Sequence, residues 1–194
     1  MVTIRNACPG DAEALSEIYG YYVRETAVTF EYEAPSPADF LRRMEEIMMF
    51  WPYLVLEDDG RIVGFAYASP FHERAAYAWC CEVTIYLSQK DTHRGYGRLL
   101  YGALEEALIE MGVLNLYACI GVPETEDERL TNNSARFHEH IGYRRIGVFR
   151  NCGFKFGVWY HMIWMEKICG DHTIPPKPLK AYRKTNTFMR YCAE

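Results

Sequence analysis

The sequence feature that most constrains the fold is a predicted strand followed by a glycine-containing loop and an amphipathic helix. The stretch covers residues 82–111 and reads EVTIYLSQKDTHRGYGRLLYGALEEALIEM. Its first part alternates apolar Val83, Ile85 and Leu87 with other residues, which predicts a strand. Beyond the loop, apolar residues recur from Leu100 to Met111 every three or four positions, which predicts a helix. The fold must therefore bring the N-terminus of a helix close to the end of a strand.

The loop before this helix, HRGYGR at residues 93–98, has the features of an anion site. N–H groups in the first turn of a helix lack intrahelical partners, and the helix dipole adds partial positive charge. Gly95 and Gly97 allow an oxygen to approach the main chain, and His93, Arg94 and Arg98 add side-chain donors. We expect the loop to hold a diphosphate, although the same glycine spacing also occurs in ordinary turns. A nucleotide triphosphate loop and a dinucleotide-fold glycine pattern are both absent from it.

Composition limits the classes of protein to consider. A chain of 194 residues with 49% hydrophobic content is long enough for one buried core. The net charge of -5 disfavours a general nucleic-acid binder, and no apolar run is long enough to cross a bilayer. The N-terminus lacks the layout of a signal peptide, and the seven cysteines contain no Cys-x-x-Cys. We expect a cytoplasmic protein with free thiols and without metal, nucleic-acid or membrane partners.

The hydrophobic periodicity and the positions of glycine and proline predict one domain over residues 1–170 and a proline-containing tail over residues 171–194. Asp11 is a candidate N-cap for the first helix, and the Ser36-Pro37 pair predicts the start of the second. The first predicted helix ends near residue 25. The other predicted helices cover residues 36–49, 97–110 and 133–141. The predicted strands cover residues 2–5, 53–57, 61–69, 77–87, 114–120, 143–149 and 159–167. The prolines at 175, 176 and 178 indicate that the tail forms no regular element and lies over the surface or a partner subunit.

Ordered motifs between residues 3 and 179 resemble the GCN5-related N-acetyltransferases (GNAT), and within them the phosphinothricin and methionine sulfoximine acetyltransferases. The motifs are TFEYE at 29–33, YASP at 67–70, RAAYAW at 74–79, EVTIYLS at 82–88, HEHIGY at 138–143, GFKFGVW at 153–159 and PPKP at 175–178. The resemblance implies an α/β (α+β) fold with a mixed, mostly antiparallel central sheet flanked by helices. It also implies that two central strands splay apart to admit acetyl-CoA.

The resemblance also assigns candidate site residues. Glu82 matches the general base, which must accept a proton because an α-amino group has a pKa of about 8. His138 matches the position of a general acid or orienting donor. The expected cofactor contacts are Ile85, Tyr86, Leu87, His93, Arg94, Gly95, Tyr96, Gly97, Arg98 and Asn133. The expected contacts to the acceptor substrate are Phe30, Arg74, Tyr77, Trp159 and His161.

Several of these assignments leave alternatives open. Phe30 is either a substrate contact or a core aromatic, and Arg74 either binds a substrate carboxylate or pairs with a surface acid. The cofactor-binding asparagine of relatives aligns with Thr131, although Asn132 and Asn133 are adjacent. Departures from the family pattern are Thr92, where relatives have glutamine or arginine, and His161, where the phosphinothricin group has aspartate.

The function implied is transfer of an acetyl group from acetyl-CoA to the primary amine of a small amino-acid-like substrate. Direct attack in a ternary complex is expected, because no cysteine occupies a nucleophile position of the family. The alternatives are acetylation of a protein or peptide N-terminus and a non-catalytic acetyl-CoA-binding module. The resemblance further implies a homodimer, with the closing strands and the tail near the interface.

Overall fold

The computed structural model describes residues 1–192. The strands are β1 (Val2–Asn6), β2 (Tyr53–Asp58), β3 (Arg61–Pro70), β4 (Cys80–Leu87), β5 (Asn115–Val122), β6 (Arg144–Lys155) and β7 (Val158–Ile168). The helices are α1 (Ala12–Glu25), α2 (Pro37–Met48), α3 (Tyr96–Met111), α4 (Asn133–His140) and α5 (Asn186–Arg190). Within this part of the chain, every helix is too short or too polar to span a lipid bilayer.

The strands form one seven-stranded sheet in the order β1-β2-β3-β4-β5-β7-β6. All neighbouring strands are antiparallel except β4 and β5, which are parallel. The β4–β5 pairing covers only three positions of each strand and ends where Glu82 lies opposite Tyr117. Beyond that point β4 continues to Leu87 and β5 to Val122 without pairing to each other. The predicted mixed sheet with splayed central strands is therefore confirmed.

Helices cover both faces of the sheet. The helix predicted from the opening stretch, α3, buries Leu100, Leu104, Leu108 and Met111 completely, together with Cys81 and Val83 of β4. Helices α1 and α2 cover the other face, where residues such as Leu15, Met44 and Phe65 form a second core. Because side chains alternate along a strand, Glu82, Thr84 and Tyr86 lie on the α1/α2 face.

Helix starts follow local chemistry, with one difference from the prediction. Ser36 caps α2 as predicted, since its Oγ accepts a hydrogen bond from the Asp39 N–H at 3.1 Å. Asp11 instead ends a short 3-10 turn, and its carboxylate makes no cap bond to α1. It receives two hydrogen bonds of 2.8 Å from Arg5, and this guanidinium holds its pKa below the ordinary value against the effect of burial.

Two segments differ from the predicted elements. The strand expected from residue 77 begins only at Cys80, because residues 75–77 form a 3-10 turn in which the Tyr77 N–H donates to Arg74 O. The tail was expected to lack regular structure, yet a 3-10 turn at Tyr182–Lys184 and helix α5 follow its prolines. Glu110 of α3 accepts hydrogen bonds from the first N–H groups of α5, which fastens the tail to the core.

Candidate active site

Glu82 lies where the two central strands separate, on the face covered by α1 and α2. Its half-buried carboxylate makes no hydrogen bond or ion pair with any group of residues 1–192. Burial without a compensating partner raises the pKa of Glu82 above its ordinary value. A carboxylate in this state is suited to accept a proton near neutral pH. The geometry is that expected of a general base.

The edge of β4 beyond Glu82 offers main-chain groups to the gap between the strands. The Ser88 N–H donates to Val63 O of β3 at 2.8 Å. Backbone bonding alternates along an antiparallel pair, so Tyr86 also bonds toward β3, whereas Ile85 and Leu87 turn their N–H and C=O groups toward the gap. The Leu87 carbonyl already accepts a 2.6 Å hydrogen bond from the Tyr22 hydroxyl of α1. Ile85 therefore presents the clearest docking edge for an extended ligand.

Tyr86 does not fit its predicted contact with the cofactor. Its backbone bonds toward β3, and its ring packs against Tyr19 and Tyr22 with centroids 5.0 and 5.1 Å apart. Alternation along β4 places this side chain on the α1/α2 face, where it packs against the core on that side.

The loop before α3 has the predicted anion-binding geometry in its main chain. Gly95 caps the helix in the left-handed region, with φ of +81°, where a side chain is disfavoured. The N–H groups of Gly95, Tyr96 and Gly97 donate to no acceptor in the described part of the chain. Three adjacent free donors at the positive end of a helix form a site for phosphate oxygens. The exposed His93 and Arg98 side chains flank them.

Two side chains of this loop serve a different role from the one predicted. The Arg94 guanidinium pairs with Asp58 at 3.1 Å and with Asp91 at 3.2 Å, and it lies over the Tyr96 ring. The Tyr96 hydroxyl donates to Asp58 at 2.7 Å. Because these side chains fasten the loop to the β2–β3 hairpin, only their backbone remains for an anion. The Arg94 guanidinium is thus engaged by two carboxylates and does not serve as the predicted side-chain donor.

Gly97 has a packing role in addition to the predicted one. A Cβ on Gly97 would lie 3.2 Å from the Phe137 ring of α4 and 3.7 Å from Leu87. The absent side chain therefore lets α3 approach α4 next to the gap.

His138 is buried and hydrogen-bonded at both ring nitrogens. Its Nδ1 lies 2.7 Å from Ser134 O and its Nε2 lies 2.7 Å from the Tyr101 hydroxyl. A carbonyl oxygen only accepts, so Nδ1 carries the proton and Nε2 accepts from Tyr101. Burial lowers the pKa of His138 to about 4, which leaves the ring neutral at pH 7. This geometry does not support the predicted general acid, since its one proton is bonded to a backbone carbonyl.

A cluster of aromatic residues begins at Tyr117, beside Glu82 on the neighbouring strand. Tyr117 lies opposite Glu82 in register, and Phe71 packs against the Tyr117 ring at 4.5 Å and the Trp164 ring at 5.5 Å. Tyr77 joins this group, since its ring centroid is 5.9 Å from that of Phe71. The predicted contact Tyr77 is thus connected to the Glu82 face, whereas Phe71 and Tyr117 were missed. Alternation along β5 was the signal that could have identified Tyr117.

Arg74 is exposed at the start of the 3-10 turn that precedes β4. It forms no salt bridge with the acidic residues that the structure describes, which disfavours the alternative of a surface ion pair. Its guanidinium is free to bind a carboxylate in bidentate fashion.

Two predicted substrate contacts lie away from Glu82. Along β7, Trp164 pairs with Cys119 and shares the Glu82 face, so His161, an odd number of residues away, lies on the opposite face. The Nδ1 atom of His161 accepts the Asn151 N–H at 2.9 Å, which supports the irregular part of β6. Trp159 is two residues from His161 along β7, so it lies on that same opposite face, and it is 57% exposed. The structure brings neither residue to the general-base candidate.

The contacts of Phe30 and of residues 132 and 133 bear on two of the open alternatives. Phe30 stacks on Tyr160 at 6.5 Å and fills the space above Gly153, as expected of a packed aromatic. Asn132 donates from its main chain and its amide to Glu126 at 3.0 and 3.1 Å. Asn133 is exposed at the first turn of α4, and the hydrogen bonds that the structure describes leave its amide N–H group free. Asn133 is therefore the better candidate for a cofactor contact.

The described residues contain no group of three or more His, Cys, Asp or Glu side chains that could hold a metal ion. The free groups of the site, within the described part of the chain, are a carboxylate, main-chain donors, the His93 imidazole and the guanidinium groups of Arg74 and Arg98. Such a set can deprotonate an amine and hold an anionic ligand.

Comparisons with known proteins agree with this geometry. The family described as acetyltransferase (GNAT) domain matches residues 4–164. The chain is 32% identical to the phosphinothricin N-acetyltransferase of Streptomyces viridochromogenes, over 92% of this chain and 93% of the relative. It is 25% identical to the L-methionine sulfoximine/L-methionine sulfone acetyltransferase of Salmonella typhimurium, over 90% and 98%. Its fold is similar to a GNAT superfamily phosphinothricin acetyltransferase from Sinorhizobium meliloti in complex with AcCoA, with a TM-score of 0.82, 28% identity and 99% coverage of both chains. The chain belongs to the GNAT acetyltransferase family.

Proposed function

We propose that this protein transfers an acetyl group from acetyl-CoA to the primary amine of a small, amino-acid-like substrate. The observation that carries the proposal is the unpartnered Glu82 carboxylate at the point where β4 and β5 separate. The relatives named for phosphinothricin and methionine sulfoximine acetylation support the class of acceptor.

The residues present fit acetyl-CoA. The free N–H groups of Gly95, Tyr96 and Gly97 would hold its diphosphate, with His93 and Arg98 beside them. The Ile85 carbonyl would accept a hydrogen bond from an amide of the pantetheine arm, as in an added strand. Asn133 would contact the cofactor from α4. When bound, acetyl-CoA supplies the thioester whose C–S bond is broken.

Glu82 would accept the proton that the substrate ammonium must lose before its nitrogen can attack the thioester carbonyl. Because the pKa of Glu82 is raised, it lies closer to that of the ammonium, and the proton transfer between them is less unfavourable. The Ile85 N–H at the unpaired edge can donate to the carbonyl oxygen as negative charge develops. Arg74 would bind the substrate carboxylate, and Phe71, Tyr77 and Tyr117 would border the amine.

His138 keeps a positioning role in this proposal. As a neutral acceptor it fixes the Tyr101 hydroxyl of α3, and its Nδ1–H bond to Ser134 stabilises α4. It therefore maintains the wall of the gap and does not protonate the leaving thiolate. The thiolate would instead take up the second proton that the attacking nitrogen loses as the amide forms.

We also propose that the protein is a cytoplasmic homodimer. The edge strand β6 exposes Ile146, Val148 and Phe149 to about half of their area, and an apolar edge of this kind is normally covered. All seven cysteines are free thiols, as in a reducing compartment. Size-exclusion chromatography with light scattering should give twice the chain mass of 22.6 kDa. A measured mass equal to that of one chain would contradict the dimer.

Incubation with acetyl-CoA and a panel of amines tests the proposed reaction. We expect acetylated amino acids by mass spectrometry, free CoA in equal amount, and no acetylation of a peptide N-terminus. Incubation with acetyl-CoA alone should leave the protein mass unchanged, because attack is direct. Acetylation of peptides only, or an acetyl group on a cysteine that is passed on to the amine, would contradict the proposal.

A further inference from the structure

Phe71 lies in the connection between β3 and β4, and its ring reaches across the sheet. Two residues before it, Ser69 is opposite Glu82 on the neighbouring strand. The Phe71 ring centroid nevertheless lies 4.5 Å from that of Tyr117 and 5.5 Å from that of Trp164. Tyr117 belongs to β5 and Trp164 to β7, so Phe71 contacts side chains on the far side of β4 from the strand it follows.

The rings of Phe71 and Tyr117 meet above the position of Glu82. Strands β3 and β5 are two strand spacings apart, roughly 10 Å, with β4 between them. Glu82 pairs with Ser69 on one side and with Tyr117 on the other. Because paired residues on neighbouring strands share a face of the sheet, the three side chains point the same way. The two rings therefore close over β4 at the level of Glu82.

This aromatic cluster is separate from the cores of the protein. Phe71, Tyr117 and Trp164 are half-buried, and they lie outside the buried apolar clusters that residues 1–192 form. Their packing therefore does not build the interior. Apolar area placed over a carboxylate instead removes water from it, which disfavours the charged form.

The titratable groups packed around Glu82 are uncharged at neutral pH. They are Tyr67 on β3, Cys80 and Cys81 on β4, Tyr117 and Cys119 on β5, and Tyr101 on α3. Burial raises the pKa of each phenol and thiol in this set, so all of them keep their protons at pH 7. Their charges therefore do not account for the raised pKa of Glu82.

Charged groups farther from Glu82 are paired or exposed. The pairs are Arg43 with Glu31 beyond Tyr67, and Arg144 with Glu166 beyond Tyr117. The exposed charged or titratable side chains of the β3–β4 connection are His72, Glu73, Arg74 and Tyr77. Histidine is the residue type that ordinarily titrates near neutral pH, so His72 needs a control of its own.

We infer that Phe71 is a positioning residue for the general base: its ring covers the Glu82 carboxylate and excludes water from it, which keeps the carboxylate basic enough to take a proton from the substrate ammonium. The inference rests on the proposed function of Glu82. Without the ring, water would solvate the carboxylate, and the carboxylate would hold a proton less tightly. The pKa of Glu82, which burial raises, agrees with such a cover.

A carbon-13 NMR titration of the glutamate side-chain carboxyls tests the inference without turnover. The Glu82→Gln variant identifies the Glu82 signal by its absence. The Glu82 midpoint should fall toward that of ordinary glutamate in Phe71→Ala, because water reaches the carboxylate. It should stay near the wild-type midpoint in Phe71→Leu, since leucine is also apolar and excludes water. Thermal melting of both variants monitors folding.

The pH profile of kcat/KM gives a second readout, because its acid limb reports the base of the free enzyme. This limb should move to lower pH in Phe71→Ala and stay in place in Phe71→Leu, His72→Gln and Glu73→Gln. Phe154→Ala is the matched control, because Phe154 is 44% exposed and pairs with Trp159 on the opposite face.

Three results of the NMR titration would overturn the inference. They are an unchanged Glu82 midpoint in Phe71→Ala, an equal fall in Phe71→Leu and Phe71→Ala, and an equal fall in Phe154→Ala. Failure of the proposed function gives a different result. If the Glu82 midpoint responded as expected but the wild-type protein acetylated no amine, the proposed function would be contradicted and the cover over Glu82 would stand.

Discussion

Replacing Gly95 by alanine should weaken binding of acetyl-CoA at the start of α3. Gly95 has φ of +81°, and an L-residue in the left-handed region costs about 1–2 kcal/mol relative to glycine. No atom lies within 4 Å of the position of the added Cβ, so the whole effect comes from the backbone. We expect the free energy of unfolding to fall by about 1 kcal/mol, since alanine also reduces the entropy of the unfolded chain.

The same strain should reduce cofactor affinity. Relaxation of φ at residue 95 turns the free N–H groups of residues 95–97 away from the diphosphate. A hydrogen bond to a charged group contributes about 1.5–3 kcal/mol, so loss of one such bond corresponds to a 10- to 100-fold increase in Kd. Isothermal titration with acetyl-CoA measures the affinity, and urea denaturation measures the stability.

Gly102→Ala in the same helix is the control. Gly102 is exposed and also has no atom within 4 Å of an added Cβ, but its φ is that of the helix. This variant should gain about 1 kcal/mol of stability from helix propensity and keep the wild-type Kd. If Gly95→Ala bound acetyl-CoA as tightly as Gly102→Ala, the loop would not hold the diphosphate through its main chain.

The remaining predictions concern His138 and the tail. The pKa of His138 is lowered to about 4, so His138 does not titrate between pH 5 and 8. The pH profile of kcat over this range should therefore have the same shape in wild type and in His138→Gln. If a titration in the wild-type profile disappeared in this variant, His138 would be the general acid after all. The N–H and hydroxyl donors of α5 lower the pKa of Glu110 to about 2 from an ordinary 4.5. Its contribution to stability is therefore fully present above pH 4.5 and is lost as the pH falls toward 2. Urea denaturation should find Glu110→Gln less stable than wild type at pH 7 and the difference smaller at pH 3, whereas a constant difference would contradict the capping role.

Patterns within one element were predicted well from sequence. The apolar spacing of α3 and the Ser36 cap of α2 both depend on neighbouring residues. The separation of β4 and β5 is a long-range feature, and here it was predicted through the family motifs and not from periodicity.

Side-chain roles that depend on distant partners were harder to predict. Arg94 was expected to face a phosphate, but Asp58 comes from a hairpin more than thirty residues earlier in the chain and pairs with it. The neutral state of His138 depends on Tyr101 of another helix. His161 was placed near the substrate by motif, although the register of β7 against β5 puts it on the other face. Each difference arises from tertiary contacts that a local pattern does not contain.

Turnover by Glu82→Gln most directly tests the claim that one unpartnered carboxylate deprotonates the amine. Glutamine keeps the shape of the side chain, so the Kd for acetyl-CoA should remain within about twofold of wild type. Loss of a general base should lower kcat by roughly 10²- to 10⁴-fold, while Glu46→Gln on the surface of α2 should have the wild-type rate. A Glu82→Gln variant that turns over as fast as wild type across the pH range would contradict the account.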